Sequence, residues 1–140
     1  MNDAGILGAL SNSFQRPGTK GRPLTFDIEI VLRNRDEAIR RRLRHDGNDV
    51  PRWTELDVQQ VLKSMLLAIE HAKNPRSEQE YVALRGFSWI VEPTGGGVVI
   101  AIEIPMGAAV AGPFDIPQGR LDSMISKVLS SNSVSGQVIH

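Results

Sequence analysis

The sequence has no cysteine among its 140 residues. This absence excludes disulfide bonds, thiolate metal sites and cysteine nucleophiles, and it is compatible with a reducing compartment. The chain also lacks a net charge, since 16 basic residues balance 16 acidic ones, so the whole molecule has no electrostatic bias toward nucleic acid or anionic membranes. No apolar run approaches the length of a membrane-spanning helix, and the N-terminal residues lack the basic region of a signal peptide. We therefore expect a soluble cytoplasmic protein that does not bind membranes.

Recognisable catalytic and cofactor motifs are also scarce. Three consecutive glycines at 95–97 are followed by the β-branched run VVIAIEI, whereas a phosphate-binding loop must lead into the N-terminus of a helix. The glycines therefore predict a hairpin turn. No G-x-S-x-G nucleophile elbow occurs in the chain, so the sequence identifies no catalytic residue and no cofactor. An enzyme whose site is assembled from scattered residues stays open as an alternative.

Three carboxylates could still approach one another. Asp27, Glu29 and Glu103 are expected on the solvent faces of strands, and two neighbouring carboxylates there could serve acid–base chemistry or bind a hard cation. A polar outer face of a sheet explains the same residues without any chemistry, and we predict no metal site.

What the sequence does contain is the pattern of a single domain over residues 24–130, between an extended arm at 1–23 and a flexible tail at 131–140. Thr54 and Asp57 form the pattern of a capping box and predict a helix that ends near Lys73. Apolar residues at helical spacing after residue 117 predict a second long helix. Strict alternation predicts a strand whose apolar face consists of Leu24, Phe26, Ile28, Ile30 and Leu32.

The remaining segments complete the predicted sheet. Residues 81–91 and 98–104 are predicted as the two strands of an antiparallel hairpin, and residues 106–114 as a short extra strand or a packed loop. Asn34 is expected to cap a short helix that ends near His45. The predicted fold is therefore α+β, with a three- to four-stranded, mainly antiparallel sheet packed by two longer helices and one short helix.

The segment 93–114 is unusually poor in charge. It contains a single charged side chain, Glu103, in a chain of which 23% is charged. Both faces of its predicted hairpin are partly apolar, which one layer of helices does not require. Either the helices or the N-terminal arm cover the second face, or that face contacts a protein partner or a second copy of the chain. We favour a non-enzymatic protein-binding or assembly module, self-associating or docking through an interface formed by Val99, Ala101, Met106, Val110 and Phe114.

The segment 33–52 offers a second possibility, because it carries seven arginines against four acidic residues. If it is helical, two i,i+4 ion pairs neutralise Arg40 and Arg41 and leave Arg42 and Arg44 as the freest charges. Arg42 and Arg44 are then candidate contacts for nucleic acid or another anion, although no aromatic residues interleave with them for base stacking. A nucleic-acid-associated protein is thus the alternative to the protein-binding module.

Overall fold

The described part of the chain forms one five-stranded antiparallel sheet whose strand order differs from the order along the chain. The computed structural model describes residues 23–138, with side chains described for residues 23–131. The elements are β1 (Leu24–Leu32), β2 (Ala38–His45), a 3-10 turn (Val50–Arg52), α1 (Glu55–Lys73), β3 (Ser88–Thr94), β4 (Gly97–Ile104), β5 (Gly107–Phe114) and α2 (Gln118–Val138). Across the sheet the order is β2-β1-β5-β4-β3, so the last strand of the chain lies at the centre. The predicted α+β class is confirmed, with five strands in place of three or four.

Both helices pack against one face of the sheet. Helix α1 contacts β1, β2 and β5, helix α2 contacts β3, and the two helices contact each other. The alternation predicted for β1 is confirmed, because its even-numbered residues from Phe26 onward are buried while the odd-numbered ones are exposed. The core between sheet and helices includes Phe26, Ile28, Ile30, Leu62, Met65, Ile69, Ile100, Ile102, Leu121 and Ile125.

Helix α1 begins at the predicted capping box. The Thr54 N–H donates to Asp57 Oδ2 at 2.8 Å, and the Asp57 N–H donates to the Thr54 hydroxyl at 3.4 Å. The Asp57 carboxylate also accepts from the Asn48 side chain at 2.8 Å and from His45 Nε2 at 2.8 Å. Burial alone raises the pKa of Asp57, but the hydrogen bonds from Thr54, Asn48 and His45 outweigh it and hold the pKa below its ordinary value of 3.8. The ionised carboxylate therefore ties the end of β2 and the following loop to the first turn of α1.

The segment predicted as a short helix after Asn34 is strand β2, so that prediction is wrong. Asn34 has a positive φ of 67° and lies in the turn between β1 and β2 rather than at a helix N-cap. Strand β2 pairs with β1 along its whole length, and Ile39 and Leu43 pack partly buried against the core. The arginines at even-numbered positions of β2 point to the other face. The segment thus has the two-residue period of a strand, although few of its residues are apolar.

Residues 106–114, predicted as a short extra strand or a packed loop, contain the central strand β5. Small residues fit this position because Ala109 and Ala111 are buried beneath the helices. A Cβ added at Gly107 would lie 2.6 Å from the backbone oxygen of Val31, so a larger residue there would push β1 away. Gly112, with φ of 125°, lies in a bulge that shifts the pairing of β5 with β4. The small residues of β5 therefore allow the neighbouring strands and the helices to pack closely around this central strand.

Other boundaries also differ from the predictions. Strand β3 begins at Ser88 rather than near residue 81, just after Gly86 turns the chain with φ of 77°. Helix α2 continues to Val138, through most of the segment expected to be a tail. The arm predicted at 1–23 lies outside the described residues apart from Pro23.

Candidate functional site

The sheet face opposite α1 and α2, called the open face, carries no helix of the described part of the chain. It consists of the side chains that alternate with the buried ones on each strand, and many of these form two strips, while the carboxylates of Glu92 and Glu103 lie on β3 and β4 outside both. The apolar strip comprises Val31, Ile90, Val99, Ala101, Ala108 and Val110. The charged strip comprises Asp27, Glu29, Arg40 and Arg42.

The apolar strip crosses four neighbouring strands. Ile90 pairs with Ala101 and Ala101 pairs with Val110, so these residues form one row across β3, β4 and β5. On the neighbouring strand β1, Val31 extends the strip. Ile90 is 50% exposed, Val31 43% and Val110 41%. Apolar surface that is continuous across several strands is typical of a contact site, in contrast to single scattered apolar residues.

The structure separates the residues that the sequence suggested as an interface. Val99, Ala101 and Val110 lie together on the open face. Met106 lies in the turn between β4 and β5 and packs partly buried against the core. Phe114 is 2% exposed, so it belongs to the core and is not available to a partner. Its ring lies 5.3 Å from the ring of Phe26 and 5.0 Å from that of Trp53, measured between centroids.

Three residues of the apolar strip, Val31, Ile90 and Ala108, were missing from the predicted interface. Val31 breaks the alternation of β1 by placing an apolar side chain at a position where Thr25, Asp27 and Glu29 are polar. From this irregularity in the sequence, Val31 could have been predicted as part of the apolar strip. Ile90 lies on the opposite face from Trp89 within one strand, but sequence alone does not show that the Trp89 face is the one covered by helices.

The charged strip pairs arginines of β2 with carboxylates of β1. Arg42 Nε lies 3.1 Å from Asp27 Oδ1, and Arg40 Nε lies 3.3 Å from Glu29 Oε2. Arg44 pairs with Asp46 at 2.8 Å. Arg42 and Arg44, expected to be the freest charges of a helix, are therefore each matched by a carboxylate. All these groups are well exposed, so the pairs add little to stability but reduce the local positive field.

The three carboxylates considered for acid–base or metal chemistry do not converge. Asp27 and Glu29 both lie on β1 and pair with arginines. Glu103 lies on β4, separated from β1 by β5. No group of three or more metal-ligating side chains occurs within the described residues.

A depression of about 510 Å³ lies where the two strips meet. It is open to solvent and is lined by side chains of β1 and β2 together with residues of β5. Val110 contributes an apolar wall, while Glu29 and Arg40 contribute a charged one. The depression is therefore lined mainly by charged side chains, with Val110 at its apolar border.

The outer strands of the sheet are poorly suited to pairing with another chain. Strand β2 carries Arg40, Arg42 and Arg44, and charged side chains disfavour strand addition at an edge. Strand β3 at the other edge contains Glu92 and Pro93, and proline has no N–H to donate to a neighbouring strand. Protein contacts of this sheet are thus better served by its open face than by its edges.

One histidine–carboxylate pair occurs in the described structure, but it is buried. His45 and Asp57 are each 4% exposed. The ionised carboxylate can only accept, so the Nε2 of His45 donates to it. Because Asp57 also accepts from Thr54 and Asn48, the pair has a structural role at the start of α1 and is not accessible to a substrate.

Comparisons with protein-family models, with curated proteins and with solved structures found no match to this chain. Within the described residues, neither helix is sufficiently long and apolar to span a membrane. The geometry of the open face is therefore the basis for a functional proposal.

Proposed function

We propose that this chain is a non-enzymatic protein-docking module that works through the open face of its sheet. The observation that supports the proposal is the apolar strip, in which Ile90, Val31 and Val110 are each at least two-fifths exposed. Burial of apolar surface drives most protein association, at about 25 cal/mol per Å². A surface strip of this kind stabilises the protein only when another surface covers it.

The charge distribution favours a protein partner over nucleic acid. Binding to nucleic acid depends on cations that neutralise phosphates. Arg40, Arg42 and Arg44 each lie against a carboxylate, so a phosphate would have to displace an existing ion pair. The apolar strip beside them would gain nothing from a phosphate backbone.

Site-specific photo-crosslinking tests the proposal. A photoreactive phenylalanine analogue replaces Ile90, the most exposed member of the strip, in the cells that express the chain. We expect irradiation to join this position to protein, because the open face is in contact with protein while the module works.

Ser126 provides the matched control position. It is exposed on α2, on the other side of the molecule, and we expect the analogue there to give little crosslinking. Equal yields at both positions, or no protein adduct at position 90, would overturn the proposed function.

A further inference from the structure

We infer that the partner of the open face presents a basic amphipathic helix, whose apolar side covers the apolar strip and whose cations meet Glu92 and Glu103. The inference rests on the proposed function and adds the chemistry of the partner. It depends on the charge of the strands that carry most of the strip, on the spacing of the two glutamates, and on the backbone pairing of the sheet.

The part of the open face formed by β3, β4 and β5 has charge of one sign. The chain contains no lysine or arginine at 86–119, and Glu92 and Glu103 are the charged side chains of these three strands. Both are exposed, and within the described residues neither forms an ion pair. The carboxylates of β1 differ, because arginines of β2 already pair with them. A surface with charge of one sign selects a partner of opposite sign and disfavours contact with its own copy.

The two glutamates lie on opposite sides of the centre of the apolar strip. Ile90 on β3 pairs with Ala101 on β4, and each glutamate lies two residues further along its own strand. Because the strands are antiparallel, Glu92 and Glu103 extend from this pair in opposite directions. With about 3.3 Å per residue along a strand and about 4.8 Å between strands, their Cα atoms are about 14 Å apart. The partner therefore needs an apolar centre between two cations at about that separation.

The backbone pairing of the sheet favours a helix as the segment that binds there. The N–H and C=O groups of a sheet point toward the neighbouring strands and are paired with them. An extended segment lying on the face would find no partners for its own backbone groups, whereas a helix pairs these groups internally. Cations two to three turns apart on one side of a helix are separated by about 11–16 Å, so their flexible side chains reach both glutamates.

The shape of the apolar strip indicates where this helix lies. Ala101 lies between Ile90 on β3 and Val110 on β5 in one row, and its side chain is the shortest of the three. The strip is therefore lowest along β4, where Val99 and Glu103 lie on the same face as Ala101. A helix that follows β4 places its apolar side between Ile90 and Val110 and one of its cations at Glu103.

Two synthetic peptides test this chemistry on the purified full-length protein. Both are helix-forming and carry leucines on one side. At the two ends of the leucine stripe, three turns apart, one peptide carries lysine and the other glutamate. We expect the lysine peptide to shift the NMR signals of Ile90, Ala101 and Val110 but not that of Ser126 on α2. The glutamate peptide should bind at least about tenfold more weakly, because its charges repel those of the face.

Removal of the two carboxylates tests their part in this binding. Glu92→Gln combined with Glu103→Gln should weaken binding of the lysine peptide by about 2- to 5-fold for each carboxylate at low ionic strength. The matched control combines Glu80→Gln with Asp122→Asn. It changes the net charge by the same amount at exposed positions outside the sheet, so the affinity should not change.

Photo-crosslinking at position 90 extends the test to the partner in the cells that express the chain. Glu92→Lys combined with Glu103→Lys should remove most of the protein adduct, because cations would then face cations. Glu80→Lys combined with Asp122→Lys should leave the adduct unchanged. Mass spectrometry of the adduct should identify the joined segment as an amphipathic sequence with lysine or arginine beside its apolar residues.

The opposite results overturn the inference. Equal affinities of the two peptides, no binding of either, or equal effects of the two neutralised variants mean that Glu92 and Glu103 do not select the partner. An adduct with a second copy, or with another part of the same chain, identifies a different occupant. If a protein adduct at position 90 persists undiminished with Glu92→Lys and Glu103→Lys, the proposed function stands and this inference fails. If no protein adduct forms even without these substitutions, both fail.

Discussion

At the scale of single residues, Asp57 carries the clearest energetic consequence. It is buried and accepts hydrogen bonds from Thr54, Asn48 and His45. We expect Asp57→Asn to lower the free energy of unfolding by about 2–3 kcal/mol at neutral pH. The amide group of asparagine would place its own N–H donors against groups that now donate to the carboxylate. Urea unfolding measures the change. The exposed Asp46→Asn, which removes only a surface ion pair with Arg44, should cost less than about 1 kcal/mol.

The stability difference between the wild type and Asp57→Asn should also depend on pH, because folding changes the pKa of Asp57. The pKa of Asp57 is lowered from 3.8 in the folded protein, so its charge stabilises the fold above pH 3.8. This contribution is lost as the pH falls below 3.8 toward the folded-state pKa. The stability gap between the wild type and Asp57→Asn should therefore narrow below pH 3.8. The lowest pH of the series, pH 2.5, is about one pH unit below the ordinary pKa of an aspartate. If the stability gap between the two proteins stays constant down to this pH, the charge of Asp57 does not stabilise the fold.

At the scale of elements, the sequence predicted correctly the strands and helices that have a local pattern. It failed where the pairing of distant strands determines the structure. β1 and α1 follow from strict alternation and from a capping box, which are local signals. β2 was predicted as a helix because Asn34 is a favourable N-cap residue, whereas Arg40 and Arg42 actually pair across strands with Glu29 and Asp27. No local pattern reports such a pairing.

The candidate site was predictable to the same extent. Val99, Ala101 and Val110 followed from the two-residue period of a strand, because each alternates with a residue that is buried. Phe114 was misplaced because its environment depends on Trp53, which is distant in sequence. The period of a strand separates its two faces, but only the packed helices determine which of these faces is buried.

The two faces of β5 should respond differently to the same substitution. Ala109 is 1% exposed beneath the helices, so Ala109→Leu overpacks the core and should lower the free energy of unfolding by about 1–3 kcal/mol. Ala108 is its neighbour on the open face. Ala108→Leu adds the same atoms there, and in dilute protein it should change stability by less than about 0.5 kcal/mol. Urea unfolding measures the stability of both variants. Equal losses of stability would contradict the assignment of Ala109 to the buried face and of Ala108 to the open face.

At the scale of the whole molecule, the described residues 23–138 form two layers, with α1 and α2 on the same side of the sheet. One side of the sheet gains its burial from α1 and α2. The other side combines apolar residues with the ion pairs of β1 and β2 and the carboxylates of Glu92 and Glu103.

Association should therefore depend on a particular apolar residue and not on surface hydrophobicity in general. If a protein docks on the open face as proposed, Ile90→Asp removes apolar burial of about 1.5–3 kcal/mol from the contact, which weakens binding about 10- to 100-fold. Leu56→Asp is the matched control, because Leu56 is 61% exposed at the start of α1 and lies away from the open face. Photo-crosslinking from position 110 on the same face should lose its protein adduct in Ile90→Asp and retain it in Leu56→Asp. If both variants lose the adduct alike, the contact does not depend on Ile90 and the open face is not the docking surface.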